Sequence, residues 1–339
     1  MADDHYTWNR YDHVTLSDVA REAGVSQSAA SVVLNGAQSG TRVSRDKRRQ
    51  VVEIAQRMGY RPNALARSLI TGRTNLLGIY SGRSRLDSRN SFFAELLGGV
   101  FQGAAQFGAN TVVHTTGTGS DELLELVSNR ALDGLIIHVA QDDPILRLIG
   151  EFRLPAVSVA DSGMGVPSVV VDDWAGGTLQ AQHLAMLGHK HVLIKTSPYQ
   201  PSAEIRCKAF QEAASRLGLQ VTVRFETFGE NEGLDLDDIR LLTEGASRAT
   251  AVVGWNDNVA HHICTKLDAL GVEIPAEVAV VGFDGFNQWF APKYKLTTIR
   301  APWSEVGAMA ANSIFSMIDR NPVPDVTVAP VEFVRGSTT

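Results

Sequence analysis

The feature that most constrains this chain is a pair of short helical patterns near its start, separated by a tight turn. Thr15 precedes the first pattern and Asp18 follows three residues later, which is an acidic variant of the capping box. Gly24 suits the left-handed conformation that ends a helix, and Ser26 suits the N-cap of the next helix. The spacing therefore predicts two capped helices that pack their apolar faces together.

The second predicted helix places small polar side chains on its outer face, namely Gln27, Ser28 and Ser31. Such side chains can lie against base edges in the major groove of DNA, so the pattern indicates a helix-turn-helix that contacts DNA. An ordinary helical hairpin in a protein core is the alternative if the two helices are taken alone.

The charge distribution favours the DNA interpretation. Residues 42–73 carry a net charge of +7, whereas the whole chain carries −6. The first 75 residues carry +4, so the remainder carries −10. This asymmetry indicates a small module that faces nucleic acid on a larger acidic body, although a charge run is in general a solvated surface.

A third helix is predicted at residues 45–58, capped by Ser44 and ended by Gly59. Pro62 can start a helix, and Asn63 can cap a short segment at 64–69. Six residues are too few for a stable isolated helix, so this segment needs a two-fold mate or DNA. A plain linker with a frayed turn is the alternative.

These segments together resemble the LacI/GalR (lactose-repressor) family of bacterial transcription regulators. The resemblance implies that Gln27 and Ser28 read bases and that Ser31 and Asn35 contact the DNA backbone. It also implies that Leu69 of each subunit wedges between base pairs in the minor groove, where Ala66 allows close approach of two hinge helices. The predicted DNA-contacting set is Thr15, Ser26, Gln27, Ser28, Ser31, Val32, Asn35, Arg42, Ala66 and Leu69.

Because of three departures from the family pattern, the operator sequence of a relative cannot be assigned to this chain. Ala29 stands where many members have Thr, and Val32 stands where many have Arg or His. The segment 37–42 is longer than in the best-known members. We hypothesise that Arg42 offsets the reduced base contact by binding a phosphate. An unchanged salt dependence of operator binding in Arg42→Ala would contradict this hypothesis.

Beyond residue 75, short apolar runs rich in Val and Ile alternate with helix-length segments, which is typical of parallel sheets with helical crossovers. About 260 residues exceed one such sheet, so we expect two doubly wound parallel-sheet subdomains. The resemblance implies an α/β periplasmic-binding-protein-like core behind an N-terminal all-α DNA-binding domain. The predicted strand runs are 76–80, 111–114, 134–139, 156–159, 169–171, 192–194, 221–225, 251–253 and 278–281.

The predicted domain division follows from this pattern. Residues 1–60 form the headpiece, and 61–74 form the hinge helix and linker. Residues 75–173 with 303–325 form the N-terminal effector subdomain, and 174–302 with 326–339 form the C-terminal one. A helix at 303–318 is expected to contribute to a dimer surface. The chain shows no heptad-patterned tail, so a homodimer is expected rather than a tethered tetramer.

Candidate effector-binding residues follow predicted strands, because open α/β sheets bind ligands beyond the carboxyl ends of their strands. They look like the family's effector-contact positions. Arg206 and Asp284 suit hydroxyls or ring N–H groups of a sugar or nucleoside, but a structural ion pair is the alternative. The aromatic candidates are core residues in the alternative interpretation. The predicted set is Phe92, Arg206, Phe228, Asn256, Asp257 and Asp284.

Catalytic and cofactor motifs are lacking: the sequence has no Gly-x-Ser-x-Gly elbow, no P-loop and no His-Glu-x-x-His. We therefore expect no enzyme and no cofactor. His183, His189 and His191 lack the framework of a metal site. Two cysteines, an acidic start and no apolar run of about 20 residues predict a cytoplasmic protein without membrane attachment.

The sequence thus predicts a ligand-responsive transcription regulator, in particular a repressor that binds a pseudo-palindromic operator as a dimer. A cytoplasmic small-molecule sensor without DNA function is the alternative. Effector identity, the direction of the response and repression versus activation stay open from the sequence.

Overall fold

The computed structural model describes residues 14–35, 42–61, 68, 71–83, 90–115, 120–226, 233–286 and 293–339. The chain divides into two compact units. The first unit comprises residues 1–76 with 131–133, and the second comprises 77–130 with 134–339. No helix in the described part of the chain is both long and apolar enough to cross a lipid bilayer.

Three helices of the first unit pack around a small apolar core: α1 (Leu16–Glu22), α2 (Gln27–Asn35) and α3 (Arg45–Arg57). The predicted capping box is present, since Thr15 and Asp18 exchange side-chain and backbone hydrogen bonds. Gly24 adopts a φ of +61°, and Ser26 Oγ accepts the Ala29 N–H at 3.2 Å. These features confirm both predicted helices and the turn. The buried core residues are Val19, Ala20, Ala23, Ala30, Val51, Ile54 and Ala55.

The second unit contains two six-stranded sheets, each with helices packed on it. In the first sheet, five strands precede residue 172 and a sixth returns from the end of the chain. The strand order is β11-β5-β4-β3-β1-β2, and its described pairings are parallel. The strands are β1 (Leu76–Ser81), β2 (Asn110–Thr115), β3 (Gly134–His138), β4 (Ala156–Val159), β5 (Ser168–Val171) and β11 (Val326–Ala329).

The second sheet repeats this strand order as β12-β10-β9-β8-β6-β7. Its pairings are parallel except at β12, which pairs antiparallel with β10. The strands are β6 (His191–Thr196), β7 (Gln220–Phe225), β8 (Ala251–Gly254), β9 (Ala279–Asp284), β10 (Thr297–Arg300) and β12 (Glu332–Val334). We call the two halves, each with its helices, the first lobe and the second lobe.

The helices of the first lobe are α4 (Ser91–Gln106), α5 (Ser120–Ser128), α6 (Ile145–Phe152) and α11 (Trp303–Ile318). The helices of the second lobe are α7 (Asp173–Met186), α8 (Pro201–Leu217), α9 (Leu236–Thr243) and α10 (Asp257–Ala269). Glycines let α4 and α11 approach closely. A Cβ on Gly99 would overlap the backbone of Ser304, and a Cβ on Gly307 would overlap that of Leu96.

The nine predicted strand runs are all strands, and the predicted third helix and the helix at 303–318 are present. The predicted fold class is therefore confirmed. The chain passes between the lobes near residue 172, near residue 302 and after Ala329. This last position differs from the predicted subdomain boundary at 326, because β11 pairs with β5 in the first sheet. The sequence analysis did not predict strand β10 (Thr297–Arg300).

Candidate functional site

The outer face of α2 is where the sequence places base contacts. Gln27 and Ser28 are exposed, and Ser31 and Val32 are half-buried. Asn35 is buried, and its side-chain amide donates to Ser31 Oγ at 3.3 Å. Within the described residues, Asn35 Oδ1 has no hydrogen-bond partner. The N-terminal part of α2 is thus the solvent-facing part of the predicted contact set.

The remaining predicted DNA-contacting residues divide into three kinds. Thr15 and Ser26 are exposed N-cap residues whose hydroxyls bond the starts of α1 and α2. Arg42 is exposed, as are the cations in the first turns of α3. Ala66 and Leu69 lie outside the described residues, as does most of the predicted hinge helix. The exposed cations at the start of α3 are Arg45, Lys47, Arg48 and Arg49.

A cavity of about 540 Å³ lies between the two lobes, at the carboxyl ends of strands of both sheets. A volume of this size is typical of small-molecule sites. Arg83 and Ala140 line it from the first lobe. The second lobe supplies the rest of the lining, namely Ser197, Tyr199, Gln200, Glu226, Gly233, Trp255, Asn256, Asn258 and Val259.

Arg83 reaches across the cleft from the end of β1. Its Nη1 donates to Gln200 Oε1 at 2.7 Å and to the backbone oxygen of Tyr199. The same Nη1 lies 3.7 Å from Asp161 Oδ2. Asp161 in turn accepts the Ser202 N–H of α8 at 3.0 Å. The two lobes are therefore joined beside the cavity by a guanidinium and a carboxylate that both bond the start of α8.

Trp255 and Glu226 form a hydrogen-bonded pair in the cavity wall. The Trp255 indole N–H donates to Glu226 Oε2 at 2.8 Å, and both residues follow strands of the second sheet. Asn256 is next in the chain. Its Oδ1 accepts the Val259 N–H at 2.8 Å and caps α10. Of the predicted effector residues, Asn256 is the one in the described lining of this cavity.

Arg206 and Asp284 are buried beside the cavity in a network of charges. Arg206 Nε donates to Asp173 Oδ1 at 2.7 Å, and Nη1 donates to the Trp255 oxygen at 2.8 Å. Nη1 lies 4.0 Å from Asp284 Oδ1, and the guanidinium lies over the Phe283 ring at 3.5 Å. Burial raises the pKa of both Asp173 and Asp284, while Arg206 opposes the rise. Asp173, which was not in the predicted set, is therefore the short ion-pair partner of Arg206, and Asp284 lies at the limit of an ion pair.

Asp257 is also buried, at the start of α10. Its Oδ2 accepts the N–H groups of Gly285 at 2.8 Å and Phe286 at 3.2 Å, and its Oδ1 accepts the Thr298 hydroxyl at 2.5 Å. Burial raises the pKa of Asp257 to about 6, and these hydrogen bonds oppose the rise. Asp257 thus ties α10 to β10 and to the residues after β9.

Phe92 packs in the first lobe, where its ring lies edge-on to Trp303 at 4.7 Å and against His138 at 5.2 Å. Trp303 Nε1 donates to Asp284 Oδ1 at 3.2 Å, so this aromatic cluster contacts the charge network of the second lobe. Burial lowers the pKa of His138 to about 4. Phe228, the other predicted aromatic contact, lies outside the described residues.

Asn256 is the one predicted residue among the eleven of the described lining, so the sequence analysis missed the others. The polar and aromatic side chains among those missed include Arg83, Gln200, Glu226 and Trp255. Each of these four follows a β-strand by one to four residues, as Asn256 does, so the strand-end rule could have found them. The described residues contain no group of three side chains that could hold a metal ion. The three histidines named above bond hydroxyls or a backbone oxygen.

Two family models match the chain. Residues 15–63 match the model of bacterial regulatory proteins of the lacI family, and residues 181–339 match the periplasmic binding protein-like domain. The ribose operon repressor of Escherichia coli (strain K12) is 28% identical over 345 residues, covering 95% of this chain and 99% of that protein. The regulator GalR of the same organism is 27% identical over 325 residues, covering 92% of each chain.

The crystal structure of the lac repressor dimer bound to operator and the anti-inducer ONPF is also similar. It superposes with a TM-score of 0.79 at 25% identity, covering 96% of this chain and 99% of that chain. The first matched region contains the helix-turn-helix, and the second contains most of the second lobe with α11 and β11 of the first lobe. The chain belongs to the lacI family of bacterial transcription regulators.

Proposed function

We propose that this regulator is a repressor that binds a pseudo-palindromic DNA operator as a homodimer and responds to a sugar-like effector between its lobes. The observation that carries the proposal is the capped helix-turn-helix, whose second helix exposes Gln27 and Ser28 at its start. Base-reading residues of such motifs lie at this end of the second helix. The lacI-family match over residues 15–63 supports the same assignment.

The DNA contacts of this proposal have separate physical roles. Gln27 and Ser28 read base edges, and Ser31 and Asn35 contact the backbone with Thr15, Ser26 and Val32 beside them. Arg42 binds phosphate. Ala66 and Leu69 serve the paired hinge and its minor-groove wedge. Residues 1–60 act as the headpiece and 61–74 as the hinge, with the two lobes behind them.

The effector of this proposal occupies the interlobe cavity, where Asn256 contacts it directly. Arg206, Asp257 and Asp284 act from the charge network beneath, with Phe92 and Phe228 as aromatic contacts. The relatives support a sugar, since one of them is a ribose operon repressor. Binding changes the angle between the lobes and thereby the pairing of the hinge segments. A coupling of about 1–3 kcal/mol between the two sites is typical of such linkage.

Selection from random duplex DNA by the purified full chain, followed by sequencing, tests this function. We expect a two-fold symmetric site with a flexible pyrimidine–purine step at its centre. The variant Gln27→Ala should relax specificity at one base of each half-site, whereas Arg42→Ala should reduce the salt slope by about 1 at unchanged specificity. An unenriched pool, with and without a mixture of sugars, would contradict the proposal.

A further inference from the structure

The cavity wall contains an aromatic surface that the proposed function leaves without a role. Trp255 is half-buried, lines the cavity, and has its indole N–H fixed by Glu226. A hydrogen bond at the ring edge fixes the ring plane while leaving the π face free. Indole faces bind the C–H faces of pyranose and furanose rings and the faces of bases, since both present flat apolar surfaces beside polar edges.

The polar groups around Trp255 favour a polyhydroxylated ring. Gln200, Asn256 and Asn258 each carry an amide whose two N–H groups can donate to neighbouring hydroxyls. The amide oxygens of Gln200 and Asn256 already accept from Arg83 and from the Val259 N–H. Glu226 has one oxygen bonded to the indole, and its second oxygen can accept a hydroxyl. A nucleobase carries fewer hydrogen-bonding groups at its edge than this lining can serve.

The charges of the lining favour a neutral ligand. Arg83 and Glu226 are the charged residues in the described lining, and their formal charges cancel. The charge of Arg83 also has the Asp161 carboxylate beside it, with Nη1 at 3.7 Å from Asp161 and at 2.7 Å from Gln200, while its Nε has no hydrogen-bond partner among the described residues. A phosphate group would meet the Glu226 carboxylate without an uncommitted cation from the described lining. Burying such a charge without a partner is unfavourable.

We propose that Trp255, oriented by Glu226, is the platform on which a ring of a neutral saccharide effector stacks, and that the Glu226 carboxylate excludes phosphorylated sugars from this cavity. The inference rests on the proposed function, because it names the effector class for the same cavity. Trp255 is the binding residue, and Glu226 both positions the indole and accepts a hydroxyl.

Isothermal titration calorimetry on the full chain tests the proposal with three groups of probes. The neutral sugars are ribose, glucose, galactose, lactose and cellobiose; the phosphorylated sugars are ribose 5-phosphate and glucose 6-phosphate; the nucleosides are adenosine and guanosine. We expect a neutral sugar to bind, and its phosphate ester to bind at least about tenfold more weakly.

Variants then assign the platform. Trp255→Ala should weaken binding of that sugar about tenfold or more, and Trp255→Phe should retain most of the affinity because it keeps an aromatic face. Trp174→Ala is the matched control, since Trp174 is 47% exposed on α7 and outside the described cavity lining. Glu226→Gln keeps an acceptor for the indole and should weaken binding less than Glu226→Ala.

Each other outcome overturns the inference. Tighter binding of a phosphorylated sugar or a nucleoside contradicts the ligand class. Equal binding by folded Trp255→Ala, or by Trp255→Ala and Trp255→Phe alike, contradicts the platform. If none of the probes binds while the protein still selects a symmetric operator, the saccharide proposal fails and the DNA-binding function stands. If a neutral sugar binds through Trp255 but no operator is selected, the saccharide proposal stands and the DNA-binding function fails.

Discussion

The two lobes have the same strand order, but their interiors differ in chemistry. The first lobe packs a mainly apolar core around Phe93, Leu96, Ile136 and Trp303, and its buried ionisable side chains include His138 and Asp161. The second lobe buries ionisable groups, including the Lys195–Asp238 pair at 2.6 Å and the Arg206 network. One topology therefore tolerates either interior, provided that each buried charge has a partner.

The position of the buried charges indicates why they are in the second lobe. Asp173 and Asp257 lie at helix starts and Asp284 lies at a strand end, whereas Arg206 lies in the second turn of α8. Hydrogen bonds and ion pairs connect this network beside the ligand cavity. Asp161, the buried acid of the first lobe, bonds the start of α8 across the cleft. The Arg206 network and Asp161 thus place buried charges where the lobes meet.

The largest expected effect concerns Lys195, whose side chain is fully buried. Replacing it by Met leaves the Asp238 carboxylate buried, with Arg224 at 3.5 Å as its remaining ion-pair partner among the described residues. We expect the free energy of unfolding to fall by about 3–5 kcal/mol, measured by urea denaturation. The exposed Lys208–Glu204 pair is the control, where Lys208→Met should cost less than about 0.5 kcal/mol. Equal losses of stability in the two variants would contradict the prediction that the buried ion pair of the second lobe matters more than its exposed ion pair.

The next prediction compares a buried titratable group of each lobe. The pKa of His138 is lowered to about 4, so the native state binds fewer protons than the unfolded state between pH 4 and 6.5. Its contribution to stability is present above pH 6.5 and is lost as the pH falls through 4. The pKa of Asp257 is raised to about 6, so the native state binds more protons between pH 3.8 and 6. Its contribution has the opposite sign and is lost as the pH rises through 6.

Replacing each group separately distinguishes its contribution to the pH dependence of the free energy of unfolding. Each shift corresponds to a change on the order of 3 kcal/mol across its window. In His138→Gln, we expect the slope of the free energy of unfolding against pH, between pH 4 and 6, to be more negative than in the unsubstituted protein. In Asp257→Asn, the same slope should be more positive than in the unsubstituted protein. Urea denaturation at half-unit pH steps measures both slopes, and identical slopes in the two variants would contradict the opposed shifts.

Close helix packing gives a third, smaller contrast within the first lobe. Alanine at Gly99 would drive its Cβ into the backbone of Ser304, so Gly99→Ala should cost about 1–3 kcal/mol. Gly98 precedes it in α4 and has open space around its Cβ position. Gly98→Ala should therefore stabilise by about 0.5–1 kcal/mol, since alanine is the better helix former. Thermal denaturation of the two variants should shift in opposite directions.

The fold was predictable from the sequence because its strands are continuous Val- and Ile-rich runs. Strand β10 was missed because its sequence begins Thr297-Thr298 and has no such run. These threonines are buried because their hydroxyls have partners: Thr298 donates to Asp257, and Thr297 bonds Thr339. The pairing of β11 with the first sheet likewise depends on a strand partner distant in sequence.

The ligand cavity was less predictable than the fold. Asn256 was found because it follows β8 directly and caps the next helix. Arg83 and Glu226 were not found, because a single charged residue after a strand is recognisable as a cavity residue only once the arrangement of the two lobes is known. Arg206 and Asp284 carried the expected charges, but their contacts with Asp173 and Trp303 depend on tertiary packing.

The smallest expected effect uses two asparagine caps, one in each lobe. Asn90 Oδ1 accepts the Phe93 N–H at 3.0 Å at the start of α4, and Asn256 Oδ1 accepts the Val259 N–H at 2.8 Å at the start of α10. Either residue replaced by Ala should reduce the free energy of unfolding by about 1 kcal/mol, because each leaves a helix-terminal N–H without its cap. The two stability losses should be similar.

Ligand affinity should distinguish the same two variants. Asn256 lines the cavity, whereas Asn90 is not part of its described lining. Asn256→Asp keeps the cap and removes the amide donor, so it should retain stability yet weaken binding of the neutral sugar identified by calorimetry. Asn90→Asp should leave that affinity unchanged. Equal affinity in both aspartate variants would mean that the second lobe's cap serves the helix alone, as the first lobe's does.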